Sequence, residues 1–164
     1  MTFLIFIDHM ILQQKDKLIN IYTDGACFGN PGPGGWAFIY YLDQTRFQNS
    51  GGSLQTTNNR MELTAVLRAL EKMNDLKNIV IYSDSKYVID GATKWIIKWR
   101  KNNWKNSNKQ TVKNIDLWIK IDGYLNNKKI GWQWVKGHAG NILNEEVDIL
   151  AKKEASKFIN QTKY

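Results

Sequence analysis

Residues 18–53 read LINIYTDGACFGNPGPGGWAFIYYLDQTRFQNSGGS, and this stretch decides the fold. Ile19, Ile21 and Thr23 alternate with Asn20, Tyr22 and Asp24, the period of two that a half-buried strand requires, so 18–24 is expected to be a strand. GACFGNPGPGG (25–35) holds both prolines and five of the 12 glycines, which predicts a tight, rigid turn. WAFIYYLD (36–43) and TRFQNSGGS (45–53) read as two further strands that complete a meander with the first.

Downstream the period changes. From Asn58 to Met73, Leu63, Val66, Leu67, Leu70 and Met73 fall on one helical face. NIVIYSD (78–84) has a continuous apolar run and reads as a strand buried on both faces, hence central in its sheet. Residues 85–105 and 110–126 are expected to be helical, with a polar break at NNWKNSNKQ. KIGWQWV (129–135) alternates as a fifth strand, and after the loop KGHAGN a last helix is expected over 142–159. Antiparallel strands followed by alternating strand and helix predict an α/β mixed sheet with helices on its faces. Residues 18–164 are expected to form one domain behind an N-terminal extension, 1–17, that this pattern leaves without a role.

The chain has 164 residues, enough to bury roughly two thirds of its unfolded surface without a disulfide or metal. With 43% hydrophobic and 23% charged residues it is not a disordered chain. Cys27 is the single cysteine, which excludes a disulfide framework and a multi-cysteine zinc site and suits a reducing, cytoplasmic setting. The N-terminal MTFLIFIDHMIL is broken by Asp8 and His9, lacks a basic start, and is too short to span a bilayer, so no membrane association through a spanning segment is expected.

Charge is more informative. Lys and Arg number 23 against 15 Asp and Glu, a net +8, which points to a polyanionic partner. From Lys94 to Asn114 the chain carries Lys94, Lys98, Arg100, Lys101, Lys105, Lys109 and Lys113 and no acid. Without those seven, 16 basic residues face 15 acids, so nearly all the net charge sits in one segment. A solvated helical face is the ordinary reading of such a run, but uncompensated like charges at helical spacing repel. Trp95, Trp99 and Trp104 are interleaved with the cations and supply flat faces for sugars or bases. Asn and Ser at 102–110 spoil the clean apolar face that a membrane-surface helix needs.

Four carboxylates stand in telling places. Asp24 ends the first strand, Glu62 lies in the first turn of the 58–73 helix, Asp84 ends the buried strand, and Asp148 lies one or two turns into the last helix. Each has an ordinary reading: a turn residue, a capping box with Asn59, a cap shared with Ser85, and a solvated acid. Together they differ, because adjacent strand ends would cluster them and clustered carboxylates either share protons or bind cations. With few His and no second Cys, an all-oxygen set suits a hard ion, Mg²⁺ or Mn²⁺. His138, between glycines, ordinarily reads as a surface residue, yet a mobile imidazole can shuttle protons near neutral pH. Cys27 has no activating partner in sequence and reads as structural or as a contact to the nucleic-acid backbone, not a nucleophile.

YTDGACFGNPGPGGWA, TTNNRMEL, YSDSKYV, KNIDLW, WVKGHAG and NEEVDILA resemble, in order and spacing, the motifs of type 1 ribonuclease H, closest to the bacterial enzymes with a basic protrusion. The resemblance covers about residues 18–158. It implies a ribonuclease H-like fold: a five-stranded mixed sheet, three strands antiparallel and two added in parallel, flanked by helices. It implies an endonuclease that hydrolyses the RNA strand of RNA/DNA hybrids by two-metal-ion catalysis with Mg²⁺, Mn²⁺ being a possible substitute, leaving 5′-phosphate and 3′-hydroxyl ends. A monomer is expected. The family's metal ligands fall on Asp24, Glu62, Asp84 and Asp148, and its mobile histidine on His138. Asn30 and Asn58, with Asn59 adjoining, match residues contacting the hybrid near the cleavage site. Thr57 and Asn114 match a pocket for a DNA-strand phosphate. Trp95 and Trp99 match protrusion residues lining the DNA groove, beside Lys98, Arg100, Lys101, Trp104 and Lys105. Two departures stand out: Gln55 where many members carry Arg in the phosphate pocket, and Lys86 in place of a neutral residue. A non-catalytic binding module on the same scaffold is the alternative, and the clustered acids argue against it. A strand-transfer enzyme would need further domains.

Overall fold

The computed structural model describes residues 17–126 and 128–159. The expected extension lies outside them, His9 included, except for Lys17, which pairs with Asp43. The strands are β1 (Leu18–Cys27), β2 (Gly32–Leu42), β3 (Thr45–Thr56), β4 (Asn78–Ser83) and β5 (Lys129–Trp134). They form one sheet in the order β3-β2-β1-β4-β5. β1–β2 and β2–β3 are antiparallel, while β1–β4 and β4–β5 are parallel. This is the five-stranded mixed sheet that the motifs imply. The helices are α1 (Asn58–Lys72), α2 (Lys86–Asp90), α3 (Ile96–Lys101), α4 (Ile115–Leu125) and α5 (Ile142–Ser156). A π-helical turn, Gly91–Trp95, joins α2 to α3.

The glycine-rich segment is mostly strand rather than turn. β1 runs on to Cys27 and β2 begins at Gly32, so the turn shrinks to residues 28–31. The glycines serve close approach instead. A Cβ at Gly25 would lie 2.2 Å from the amide nitrogen of Glu62 on α1, and one at Gly35 would lie 2.1 Å from the carbonyl of Ala151 on α5. Two helices thus rest directly on strand backbone, one on each face of the sheet.

On one face, α1 buries Leu63, Val66, Leu67 and Leu70 against Ile21, Phe38, Ile79 and Ile81. Each such side chain contributes roughly 1.5–3 kcal/mol relative to exposure. On the other face, α5 sets Val147 and Ala151 on Ala26, Ala37 and Ile39. α5 covers β1, β2 and β3 but not β4. β4 is therefore interior without being closed on both faces, contrary to the sequence expectation: Ile79, Ile81 and Ser83 are buried, while Asn78, Val80 and Tyr82 are half-buried. β1 is the central strand, and Tyr22 stacks on Tyr82 at 4.7 Å across the open part of the second face.

The expected helix over 110–126 starts later, at Ile115, because Asn114 adopts φ 58 and breaks the preceding chain. Residues 102–114 instead fold back on themselves through a Lys105–Thr111 bridge and a Val112 N–H to Trp104 carbonyl bond of 3.0 Å. The last helix stops at Ser156 rather than 159. Before β5, the Lys128 ammonium donates to the carbonyls of Met73 at 2.8 Å, Leu76 at 2.9 Å and Asn74, tying down the C-cap of α1 and the loop that leads to β4.

Gly35→Ala and Gly123→Ala are expected to act in opposite directions in thermal or denaturant unfolding. The first forces a methyl into the Ala151 carbonyl and should cost about 1–3 kcal/mol or more. The second adds a methyl on α4 where nothing lies within 4 Å, and should stabilise by about 0.5–1 kcal/mol.

Candidate metal and nucleic-acid site

The parallel register pairs Tyr22 with Tyr82, so Asp24 and Asp84, each two residues further on, stand side by side in the middle of the sheet, Asp84 just past the end of β4 and Asp24 within β1, which runs on to Cys27 rather than ending at Asp24 as expected. Glu62 reaches them because Gly25 lets the first turn of α1 lie on β1. Neighbours do the capping that the acids could have done. Thr57 Oγ1 caps α1 by accepting from the Arg60 N–H at 3.4 Å, so the capping box expected for Asn59 and Glu62 is not formed. Ser85 Oγ caps α2 through the Val88 N–H at 3.3 Å, which leaves the Asp84 carboxylate free of that task.

One oxygen from each of Asp24, Glu62 and Asp84 lies within 4.8 Å of the others. Asp24 and Glu62 are each only 4% exposed. Burial, then the Asp84 charge, pushes the Asp24 carboxyl from 3.8 up to about 7, against the opposing pull of the Gly25 N–H, which donates to Oδ1 at 2.7 Å. Glu62 is raised well above the carboxylate range, first by burial and then by Asp24 and Asp84. Glu62 Oε2 has no hydrogen-bond partner among the described residues. A buried oxygen without a partner, in an all-oxygen set of crowded carboxyls, fits a hard divalent cation.

Asp148 stands outside this trio, with Oδ2 accepting from Lys152 Nζ at 2.7 Å one helical turn on. Its charge still contributes to the rise at Asp24. His138 is exposed, at φ 52, on the loop after β5. That loop is tied to α5, where Glu145 Oε1 accepts from the Gly140 N–H at 3.1 Å.

The polar residues beside the trio form a second group. Asn30 Oδ1 accepts from the Asn58 N–H at 3.0 Å, joining the β1–β2 turn to the start of α1. Asn30, Thr57, Asn59, Lys113 and Asn114 line one cavity of about 370 Å³. Asn114 is held from two sides: Arg60 Nη1 donates to its Oδ1 at 3.3 Å, and its Nδ2 donates to the Tyr87 hydroxyl at 3.1 Å. Gln55 is exposed on β3, and Lys113, unremarked in the sequence except as one of seven cations, is the cation of this cavity. Cys27 turns its thiol toward the carbonyls of Gly29, Thr56 and Gly32, and burial pushes that thiol up.

The basic segment is less free than its sequence suggests. Lys94 pairs with Asp90, and Arg100 pairs with Asp122 through Nε at 2.7 Å and through Nη2. Both acids lie outside the acid-free run. Trp95, Trp99 and Trp104 form a chain of rings at 5.9 and 6.2 Å, rooted on buried Trp118 at 5.4 Å from Trp99. Trp95, Lys98, Trp99, Asn102 and Lys105 line a groove of about 280 Å³, and Lys101 is exposed nearby. No helix among the described residues is long and apolar enough to cross a membrane.

The family profile of RNase H matches residues 16–156. The chain is 50% identical to a ribonuclease H of Anaplasma marginale over 149 residues, 90% of this chain and 96% of the relative. Among solved structures it is similar to LC9-RNase H1, a type 1 RNase H with the type 2 active-site motif, at 30% identity and TM-score 0.77, over 85% of this chain and 72% of the other. It shares its fold with a foamy viral protease-reverse transcriptase in complex with RNA/DNA hybrid, at 23% identity and TM-score 0.77, over 90% of this chain and 21% of the other.

The raised carboxyls set a sign for the metal-free protein. Asp24 and Glu62 bind protons more tightly folded than unfolded, so their burial costs nothing below pH about 4 and stability falls as pH rises toward about 7. For Asp24 alone the rise amounts to roughly 4 kcal/mol at most. Metal-free Asp24→Asn should therefore be more stable than the parent at pH 8 and equal to it near pH 4, in thermal unfolding with chelator present.

Proposed function

Since the chain belongs to the type 1 ribonuclease H family, we propose that it is an endonuclease that hydrolyses the RNA strand of RNA/DNA hybrids. The observation that carries the reading is the trio of buried Asp24 and Glu62 with half-buried Asp84, where β4 ends beside β1, with a basic, tryptophan-bearing groove on the same chain. An acidic centre repels a phosphodiester unless cations offset it, and a pure binder has no use for one. Asp24, Glu62 and Asp84, joined by Asp148, would hold two Mg²⁺ ions. When bound, the ions supply a water of lowered pKa and stabilise charge on the leaving oxygen, so that the products carry 5′-phosphate and 3′-hydroxyl ends.

The chain's own residues divide the remaining work. Asp148 is free to face the site once its bond to Lys152 opens. His138, on its glycine-flanked loop, moves a proton at the reacting centre or helps product leave. The linked Asn30 and Asn58, with Asn59 and the Cys27 turn, lie against the hybrid backbone. Thr57, Asn114 and Lys113 take a phosphate of the DNA strand in their shared cavity. The groove of Trp95, Lys98, Trp99 and Lys105 holds that strand further along, with Lys101 and Trp104 beside it. Ring faces and lysines give affinity without base preference. Arg100 braces the arm through Asp122 rather than meeting phosphate. Selectivity for a hybrid comes from requiring both partners, 2′-hydroxyls on one strand and a deoxyribose-fitting groove for the other.

The direct test is cleavage of a labelled RNA/DNA hybrid with Mg²⁺. Asp24→Asn is expected to lose on the order of 10³-fold or more in rate, and plain duplex DNA should stay intact. Equal cutting by both proteins would remove the metal-site assignment, and efficient cutting of duplex DNA the substrate assignment.

The arm has its own test. Neutralising Lys98, Lys101 and Lys105 together should flatten the salt dependence of hybrid binding by about 2–3 in log–log slope. Arg100→Gln should leave that slope unchanged while lowering Tm.

A further inference from the structure

We propose that Asn144 is a positioning residue for the site: its amide holds the Asp84 carboxylate, and its carbonyl oxygen takes a hydrogen bond from a water carried by the bound cation. The proposal rests on the reading of Asp24, Glu62 and Asp84 as a metal site. Asn144 is 2% exposed and lies in the first turn of α5, one turn before Asp148 and so on the same helix face. Its backbone N–H is already capped by Asn141 Oδ1 at 3.1 Å, and Asn141, not Asn144, is the N-cap, so its side chain has no capping duty.

Asn144 Nδ2 donates to Asp84 Oδ2 at 3.4 Å. Chemistry fixes that orientation, because the opposite one would set an amide oxygen against a carboxylate. The amide oxygen is then left without a partner among the described residues. Glu62 Oε2 shares that condition, and it belongs to the trio. Two buried oxygens without hydrogen-bond partners, one on a trio carboxyl and one on the side chain that touches another, fit a space that takes an ion with its waters. The rest of Asp84 is already fixed: its carbonyl accepts from Trp134 Nε1 at 2.9 Å, and a Cβ at Gly137 would come within 2.8 Å of its Oδ2. Asn144 supplies the hydrogen bond to the carboxylate itself.

The test uses Asn144→Leu, close in volume but without donor or acceptor, and Asn144→Ala should Leu fail to fold. Mg²⁺ binding is measured by calorimetry on the full chain without nucleic acid, beside Tm in chelator. The expected result is a 10–100-fold weaker Mg²⁺ affinity, with chelator Tm unchanged or raised because a buried orphan oxygen is gone. In hybrid cleavage the Mg²⁺ concentration giving half-maximal rate should rise by the same factor, while the rate at saturating Mg²⁺ changes less. Parent-like Mg²⁺ affinity in the variant would overturn the proposal, as would a chelator Tm loss with affinity intact. If the parent itself binds no Mg²⁺, the metal-site reading fails, and that outcome is distinct from failure of the Asn144 assignment.

Discussion

The first turn of α1 lies on the backbone of β1 at Gly25, closer than any side chain would permit. This contact carries the Glu62 carboxylate into a space already bounded by Asp24 and Asp84. It also commits the fold to burying Asp24 and Glu62 beside a third acid that repels them. A sheet that brings two aspartates side by side on neighbouring strands would be ordinary. A helix pressed against that point, aiming a third acid inward, makes it an electrostatic liability in the absence of cations.

The rest of the structure separates the work of holding this centre from the work of using it. Thr57, Ser85 and Asn141 cap the three helices that surround the acids, so no carboxylate of the trio is spent on capping. Trp134 fixes the backbone of Asp84, and Asn144 touches its side chain. On the outer side, the arm stands on stacked rings and on the Arg100–Asp122 pair, which leaves Lys98, Lys101 and Lys105 exposed. The net charge of +8 therefore divides into cations that brace the arm and cations that face outward.

Periodicity made the strands and α1 legible, because alternation in Ile19, Ile21 and Thr23 and the stripe from Leu63 to Met73 each have one geometric meaning. The glycines of 25–35 misled because a turn and a close helix approach call for the same residue, and only the packing partner distinguishes them. Val80 and Tyr82 looked buried because apolar side chains do not say whether a helix covers them. The start of α4 was displaced by the left-handed Asn114, a conformation that composition does not announce. Glu62 and Asp84 could be singled out from their positions at element ends, and Asp24 from the glycine that follows it, although β1 runs on to Cys27. Asn144 could not, since a helical asparagine carries no mark of burial or of an acid 60 residues away in the chain. The pairing of Arg100 with Asp122 was likewise invisible to a count made along one segment.

The central claim is that the trio of carboxylates is built to trade protons for cations. The most direct measurement is proton release on adding Mg²⁺ to the metal-free protein near pH 6.5, followed in weakly buffered solution without nucleic acid. Asp24, raised to about 7, and Glu62, raised well above its usual range by burial, hold protons there that a cation must displace. The account expects release of about one proton or more per protein, shrinking toward pH 4.5 as bound protons compete and Mg²⁺ binding fails, and greatly reduced in Asp24→Asn. Mg²⁺ binding with no proton release, or release undiminished in that variant, would contradict it.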